Sequence, residues 1–376
     1  MYRAIAASPG SPRSALARRL GLRPTTVSHL VQELVDDGLV AERRGRDTGR
    51  SGRPRAEIEP VAERLTAVSL CVESRDLRAA LVDLSGRVLA SGSRGLAADA
   101  DNRDIDAAVA SLVDELAGQA PPGSEVVGAG LSLVGTVDPA GPTWVSAARW
   151  PRLRSLDLGP LAAHLGAPIR ARRALDTALE LALEGDGAAA DHSVVMLHWG
   201  FGIGAAVAHR GTLLGSTLGR FGEIGHLAAH GGGRRRCTCG ARGCLETEAA
   251  LWALLPRLRR RLGSLPDDEG ELTAALAAAR VAELPEVRGA IGAVLEGLVT
   301  LHRLFFPDEV FLVGPLAENP AVFRRLADGF AAGLPDYAAG RTSLTILPAG
   351  LGACRTRSAD PLLREALRRR LRHRPS

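Results

Sequence analysis

The chain has 376 residues, 46% of them hydrophobic and 24% charged, with a mean hydropathy of +0.05; that length implies two or three globular domains, because single cores stop growing at roughly 250 to 300 residues. The composition excludes wholesale disorder, and no apolar run approaches the roughly 18 to 20 residues of a membrane span. All 47 cationic side chains are Arg, which excludes Schiff-base chemistry and any Walker-type GK[ST] phosphate loop.

The net charge of +5 is unevenly placed: residues 1–60 carry +4, residues 361–376 carry +5, and the body between them −4. A mildly acidic body with a basic N-terminal module is the layout of a protein whose small end meets nucleic acid. The basic tail also suits the C-terminal end of a last helix. Met1 to Gly10 lacks a long apolar core behind a basic start, so no secretory signal is visible and a cytoplasmic address is expected. Three of the five Cys, Cys237, Cys239 and Cys244, fall within eight positions, a spacing that suggests a metal site rather than disulfides in a reducing compartment.

Ser14 to Gly21 reads as a short helix with Ala15, Leu16 and Leu20 on one face. A second helix starts near Pro24, which suits a first turn. Val27, Leu30, Val31, Leu34 and Val35 form its apolar stripe, and Gly38 ends it. That leaves Thr25, Thr26, Ser28, His29 and Gln32 on the outer surface, able to reach base edges or phosphates in a major groove. Only Met1 to Ala7 is available for the helix that normally buttresses a helix-turn-helix. Next, Leu39 to Arg43 and Ala56 to Glu59 are expected to pair as strands around a Gly-rich loop bearing Arg43, Arg44, Arg46, Arg50, Arg53 and Arg55. This is a wing whose guanidiniums would make salt-sensitive phosphate contacts. The blander alternative is two amphipathic helices with a solvated basic linker. The domains are expected at 1–60, winged helix-turn-helix, and 61–376.

From Leu65 the pattern changes to alternating strands and helices. Strands are expected at Leu65 to Val72, Leu77 to Asp83 and Val88 to Gly92, with Ser85-Gly86 at a hairpin tip. A helix over Asp104 to Ala117 and a strand over Val126 to Val134 follow. A second round comprises a helix over Thr177 to Glu184, a strand over Val194 to Leu197 running into a Gly-rich stretch, a long helix over Pro285 to Phe306, and a strand over Val310 to Val313. Two such rounds predict a duplicated α/β architecture with a cleft between halves.

The strongest chemical signal is GEIGHLAAHGGGRRRCTCGARGCLETE from Gly222. Three Cys with a nearby His form a Cys3His set, the donor set of a closed tetrahedral structural zinc site. Gly240 and Gly243 leave the loop free to turn around an ion. His226 and His230 compete for the fourth place.

Together, the winged module and the Glu-x-x-His followed by Cys-x-Cys-Gly-x-x-Gly-Cys-x-Glu signature resemble the ROK family of repressors, open reading frames and kinases, over nearly the whole chain. The resemblance implies a duplicated actin-like, ribonuclease-H-like fold with a sugar in the interdomain cleft. It selects His226 over His230 as a zinc ligand that also touches the sugar, with a zinc loop near 226–246. It implies that Glu223 and Glu246 accept hydrogen bonds from sugar hydroxyls. The family's Asn-Asp pair maps onto Leu175-Asp176. In kinase members the Asp is the general base, and here Leu175 has deleted the amide beside it. Asp176 could otherwise be a helix N-cap.

Three places bear on the kinase activity that the resemblance also allows. The turn after the first strand offers Glu73, Ser74 and Arg75 where kinases carry glycines for ATP phosphates. Trp199 replaces a small hydroxyl residue before Gly200, Gly202 and Gly204. Gly314-Pro315 stands where a glycine run is needed. Phosphoryl transfer would lack its positioning, so no ATP is expected. The reading is a sugar-responsive transcriptional regulator, a repressor, that binds operator DNA as a homodimer and takes a sugar or sugar phosphate as effector. The alternatives are a sugar kinase carrying a DNA-binding module and a constitutive DNA-binding protein with a vestigial pocket. The four Trp could include a sugar-stacking platform or fill cores.

Overall fold

The computed structural model describes residues 1–44, 56–185, 191–215, 221–229, 233–277, 280–338, 340–348 and 354–372. It opens with three helices, α1 (Tyr2–Ala6), α2 (Arg13–Leu20) and α3 (Pro24–Asp36), and an antiparallel pair, β1 (Val40–Arg44) and β2 (Ala56–Pro60). The buttressing helix is thus a five-residue turn that buries Tyr2 and Ile5. Burial, helped by the charge of Asp83, pushes the Tyr2 phenol up to about 12. In α2 the buried pair is Leu16 and Ala17, whereas Leu20, expected on the inner face, is 37% exposed. In α3 Val27, Val31 and Leu34 are buried, with Leu30 and Val35 half-buried at the edges of the stripe. Arg13 donates from Nε to Glu42 Oε1 at 2.9 Å, docking α2 onto β1.

The first lobe holds β3 (Leu65–Glu73), β4 (Asp76–Asp83), β5 (Val88–Gly95), α4 (Asn102–Ala117) and β6 (Glu125–Leu133). Then come a small antiparallel excursion of β7 (Thr136–Asp138), β8 (Thr143–Ser146) and β9 (Leu156–Asp157), followed by α5 (Gly159–Leu165) and β10 (Ile169–Arg173). Asp101 caps α4, accepting from the Arg103 and Asp104 N–H groups while Asp104 returns a carboxylate to the cap. Helix α6 (Ala174–Gly185) leads to the second lobe.

The second lobe repeats the plan with β11 (Ser193–Trp199), β12 (Ile203–His209), β13 (Thr212–Leu214), α7 (Leu245–Ala249), α8 (Leu251–Leu262), α9 (Glu269–Ala277), α10 (Pro285–Phe305), β14 (Glu309–Val313), α11 (Pro320–Gly333) and β15 (Ser343–Ile346). The chain closes with α12 (Cys354–Arg357) and α13 (Asp360–Arg372).

The duplication is explicit in the sheets. One runs β10-β6-β3-β4-β5 and the other β13-β12-β11-β14-β15. In each, three antiparallel strands lead outward from the centre, and the fourth and fifth add in parallel on the other side. One face of the first sheet packs on α4 and the excursion, with Trp144 and Trp150 in that core. Its other face shares a core with the N-terminal module and α13, in which Ile5, Leu16 and Ile58 join Ala67, Val82, Val127 and Leu362. The second sheet packs on α7, α8, α10 and α11 on one face, with Trp199 buried there, and on α6 on the other. Three of the four Trp are therefore core. Among the described residues no helix is long and apolar enough to cross a membrane.

Candidate functional site: a thiolate loop and an acidic cleft

The loop between β13 and α7 brings the metal-ligand candidates together. His226 sits on a short 3-10 turn, Ile224–His226, and Cys244 immediately precedes α7. The Cys237 N–H donates to Ala241 O at 2.8 Å, and the chain reverses through Gly240 and Gly243, whose φ of +94° and +69° only glycine adopts freely. The donor atoms of His226, Cys237, Cys239 and Cys244 all lie within 4.8 Å of one another. The Sγ atoms of Cys239 and Cys244 are 3.7 Å apart, and Cys237 Sγ is 3.5 Å from His226 Nδ1. A tetrahedral ion with Zn–S near 2.3 Å and Zn–N near 2.1 Å needs edges of about 3.8 and about 3.6 Å, so the four atoms fit a metal ion of that kind. Burial pushes the Cys244 thiol up to about 12 and also raises Cys237. For Cys239 burial acts upward too, but hydrogen bonds from the Ala241 N–H and the neighbouring thiols outweigh it and lower the thiol. A metal ion bound here would displace thiol protons. His230 lies outside the described residues.

His226 links this loop to the acidic residues, for its Nε2 lies 3.8 Å from Glu223 Oε2. Glu223 Oε1 accepts from Thr136 Oγ1 of the first lobe at 3.3 Å. Burial raises the Glu223 carboxyl above its ordinary value against the opposing charges of Arg173 and His226. Glu246, on α7 and 6% exposed, accepts from the Ile203 N–H at 2.9 Å and from Trp252 Nε1 at 3.3 Å. The fourth Trp therefore braces a carboxylate.

Asp176 is not a helix cap. Helix α6 begins at Ala174, and Asp176 lies inside its first turn, held by Arg173 with Nη2 2.7 Å from Oδ1 and Nε 3.2 Å from Oδ2. Arg173 is 7% exposed, donates also to Ala205 O at 2.8 Å and to Phe221 O, and lies 3.8 Å from Glu223 Oε1. Sequence reasoning missed this residue, because an Arg at the end of a strand carries no motif. Its effect is geometric: both Asp176 oxygens accept from one buried guanidinium, so neither is left uncommitted toward a substrate hydroxyl. Leu175 sits half-buried beside the α6 core.

The three turns compared with those of kinases make internal contacts. Glu73 Oε2 is 2.9 Å from Arg78 Nε, Trp199 Nε1 donates to Ala249 O at 2.7 Å in the core, and a Cβ on Gly314 would stand 2.0 Å from Trp199 O.

On the N-terminal module Thr25, Thr26, His29 and Gln32 are exposed and Ser28 is half-buried. His29 pairs along the helix with Glu33 at 3.3 Å, and Gln32 donates to Asp36 at 2.9 Å. Arg43 is exposed on β1, which ends at Arg44 opposite Ala56. Arg46, Arg50, Arg53 and Arg55 lie outside the described residues.

Two duplicated lobes with a Cys3His loop at the cleft and a winged helix-turn-helix at the N-terminus define a regulator-type architecture on a sugar-kinase fold. The ROK family model matches residues 69–354 and a MarR family model residues 3–51, and the chain belongs to the ROK family. It is 26% identical over 264 residues to the DNA-binding transcriptional repressor Mlc of Escherichia coli K12, a match spanning 70% of this chain and 64% of that repressor, less than two thirds of its length. A solved ROK family transcriptional regulator, a homologue of the E. coli Mlc protein, superposes with a TM-score of 0.72 at 20% identity, over 98% of this chain and 95% of that one. A ROK family glucokinase from Streptomyces griseus, in complex with glucose and AMPPNP, matches at 0.60 and 22% identity, over 80% of this chain and 99% of its own.

Proposed function

We propose that the chain is a sugar-responsive transcriptional repressor. Residues 1–60 bind operator double-stranded DNA through Thr25, Thr26, Ser28, His29, Gln32, Arg43, Arg44, Arg50, Arg53 and Arg55. Residues 61–376 hold a sugar or sugar-phosphate effector among Asp176, Glu223, His226 and Glu246. A structural zinc ion on His226, Cys237, Cys239 and Cys244 fixes the loop that carries Glu223 and Glu246. The protein works as a homodimer, which matches two half-sites.

The observation that carries the regulator reading over a kinase is Arg173, whose buried guanidinium chelates Asp176. The name of Mlc, a DNA-binding transcriptional repressor, supports the same reading. Effector binding must favour one lobe arrangement, and operator binding another.

Fluorescence anisotropy on DNA from upstream of the gene, at two salt concentrations and with a panel of sugars and sugar phosphates, tests it. Salt-dependent binding that shifts with one ligand is expected. Binding indifferent to every sugar would mean a vestigial pocket, and ADP release from ATP with a sugar would establish a kinase.

A further inference from the structure

The turns that join the first two strands of each lobe, Glu73–Asp76 in the first and Trp199–Ile203 in the second, are both contacted by the segment 267–269 that leads into α9. These turns are equivalent in the duplication, and the gap between them is filled by the chain itself. Arg149, from the segment between β8 and β9 of the first lobe, is 5% exposed. Its guanidinium meets second-lobe groups. It lies 4.4 Å from the centroid of the Phe201 ring, donates from Nη2 to Glu269 Oε1 at 2.7 Å, and donates from Nη1 to Asp267 O at 3.2 Å. Glu269 Oε1 also accepts from the Phe201 N–H at 3.2 Å, and Oε2 lies 3.6 Å from His198 Nε2.

The contacts run both ways across the gap. The Glu269 N–H donates to Ser74 Oγ at 2.9 Å, on a first-lobe turn whose Ser74 has φ +54°. Arg75 reaches across to Asp267 Oδ2 at 2.8 Å, while Arg259 holds the other oxygen at 2.6 Å.

We propose that Asp267–Glu269 is an inter-lobe latch. The Asp267 and Glu269 carboxylates occupy the gap between the equivalent turns, bind Arg75 and Arg149 of the first lobe, and hold the lobes in the arrangement seen here. The anion that ties the two turns together is internal, so the lobes reach this spacing without an external phosphate. A separate contact between the lobes joins Thr136 Oγ1 to Glu223 Oε1 at 3.3 Å. The latch goes beyond the regulator reading and stands whatever the effector proves to be.

Hydrogen exchange and small-angle scattering of the full-length, metal-loaded protein test it, on Arg149→Met, Glu269→Gln, their double variant and Arg75→Ala. Arg149→Met and Glu269→Gln are each expected to speed amide exchange in the turns 73–76 and 199–203 about tenfold and to raise the radius of gyration. The double variant should be no faster than the faster single, because the pair acts as one unit. Arg75→Ala removes a partly exposed pair and keeps the test available if the buried variants fold poorly; it should speed exchange at 73–76. Unchanged exchange there, additive effects in the double variant, or a lower unfolding midpoint with an unchanged radius of gyration would each overturn the latch.

Discussion

Arg173 turns four acceptors into a compensated set: it chelates Asp176, approaches Glu223 and satisfies two backbone carbonyls. Removing the guanidinium leaves Asp176 and Glu223 without their counter-charge, whereas removing the Asp176 charge leaves Arg173 its carbonyls and Glu223. Arg173→Met is therefore expected to destabilise the protein more than Asp176→Asn, the latter costing roughly 1–3 kcal/mol. Urea unfolding measures both, and a larger loss for Asp176→Asn would show that Arg173 does not organise the cleft. At the thiolate loop, Cys239→Ser and Cys244→Ser should each remove bound zinc, from one equivalent to none by mass spectrometry or atomic absorption, and lower the unfolding midpoint. Full metal retention in either variant would rule out the Cys3His set. Cysteine spacing made this loop legible in the sequence, because ligands close in the chain must be close in space. Arg149 was not legible, because its partner Glu269 lies 120 residues away; Arg173 sits only three residues from Asp176 but carries no motif, and its carbonyl partners lie 32 and 48 residues away.

At the scale of elements, periodicity located most of the framework. The strands over 65–73, 76–83 and 125–133, and the helix over 285–305, fall within a few residues of their expected places, since each buries a face in one of the lobe cores. The excursion β7–β9 and helix α9 escaped, being too short or too weakly patterned to show a period; α8 was also missed although it has a regular apolar face, and it carries Pro256 without a break. Leu20 was misplaced because the short α2 presents only its middle to the core. The wing follows the expected pairing, with Arg43 opposite Glu57 and exposed. Arg43→Ala should weaken DNA binding uniformly across sequences and reduce the slope of log affinity against log salt by about one. An unchanged slope would remove β1 from the DNA interface.

For the whole molecule, the N-terminal module and the first lobe share one core that also takes in α13, and the lobes are joined by the pairs of Arg75 with Asp267 and Arg149 with Glu269. Arg64 adds to the first junction, donating to Asp37 O at 3.3 Å and Gly123 O at 2.8 Å. The second junction makes stability depend on pH. Burial would raise the Glu269 carboxyl, but the His198 and Arg149 charges and hydrogen bonds prevail and hold it at about 2. Asp267 is likewise held below the carboxylate range, chiefly by Arg259. A carboxyl held lower in the folded state than in the unfolded chain adds stability above its unfolded value, near 4.5 for Glu269, and loses it as pH falls through the folded one. Glu269 alone accounts for about 3 kcal/mol across that interval. The urea midpoint should therefore fall steeply between about pH 4.5 and about pH 2, and Glu269→Gln should start lower at neutral pH and flatten that part of the curve. A Glu269→Gln profile parallel to the parent's would show that the acid sensitivity arises elsewhere than at the junction between the lobes.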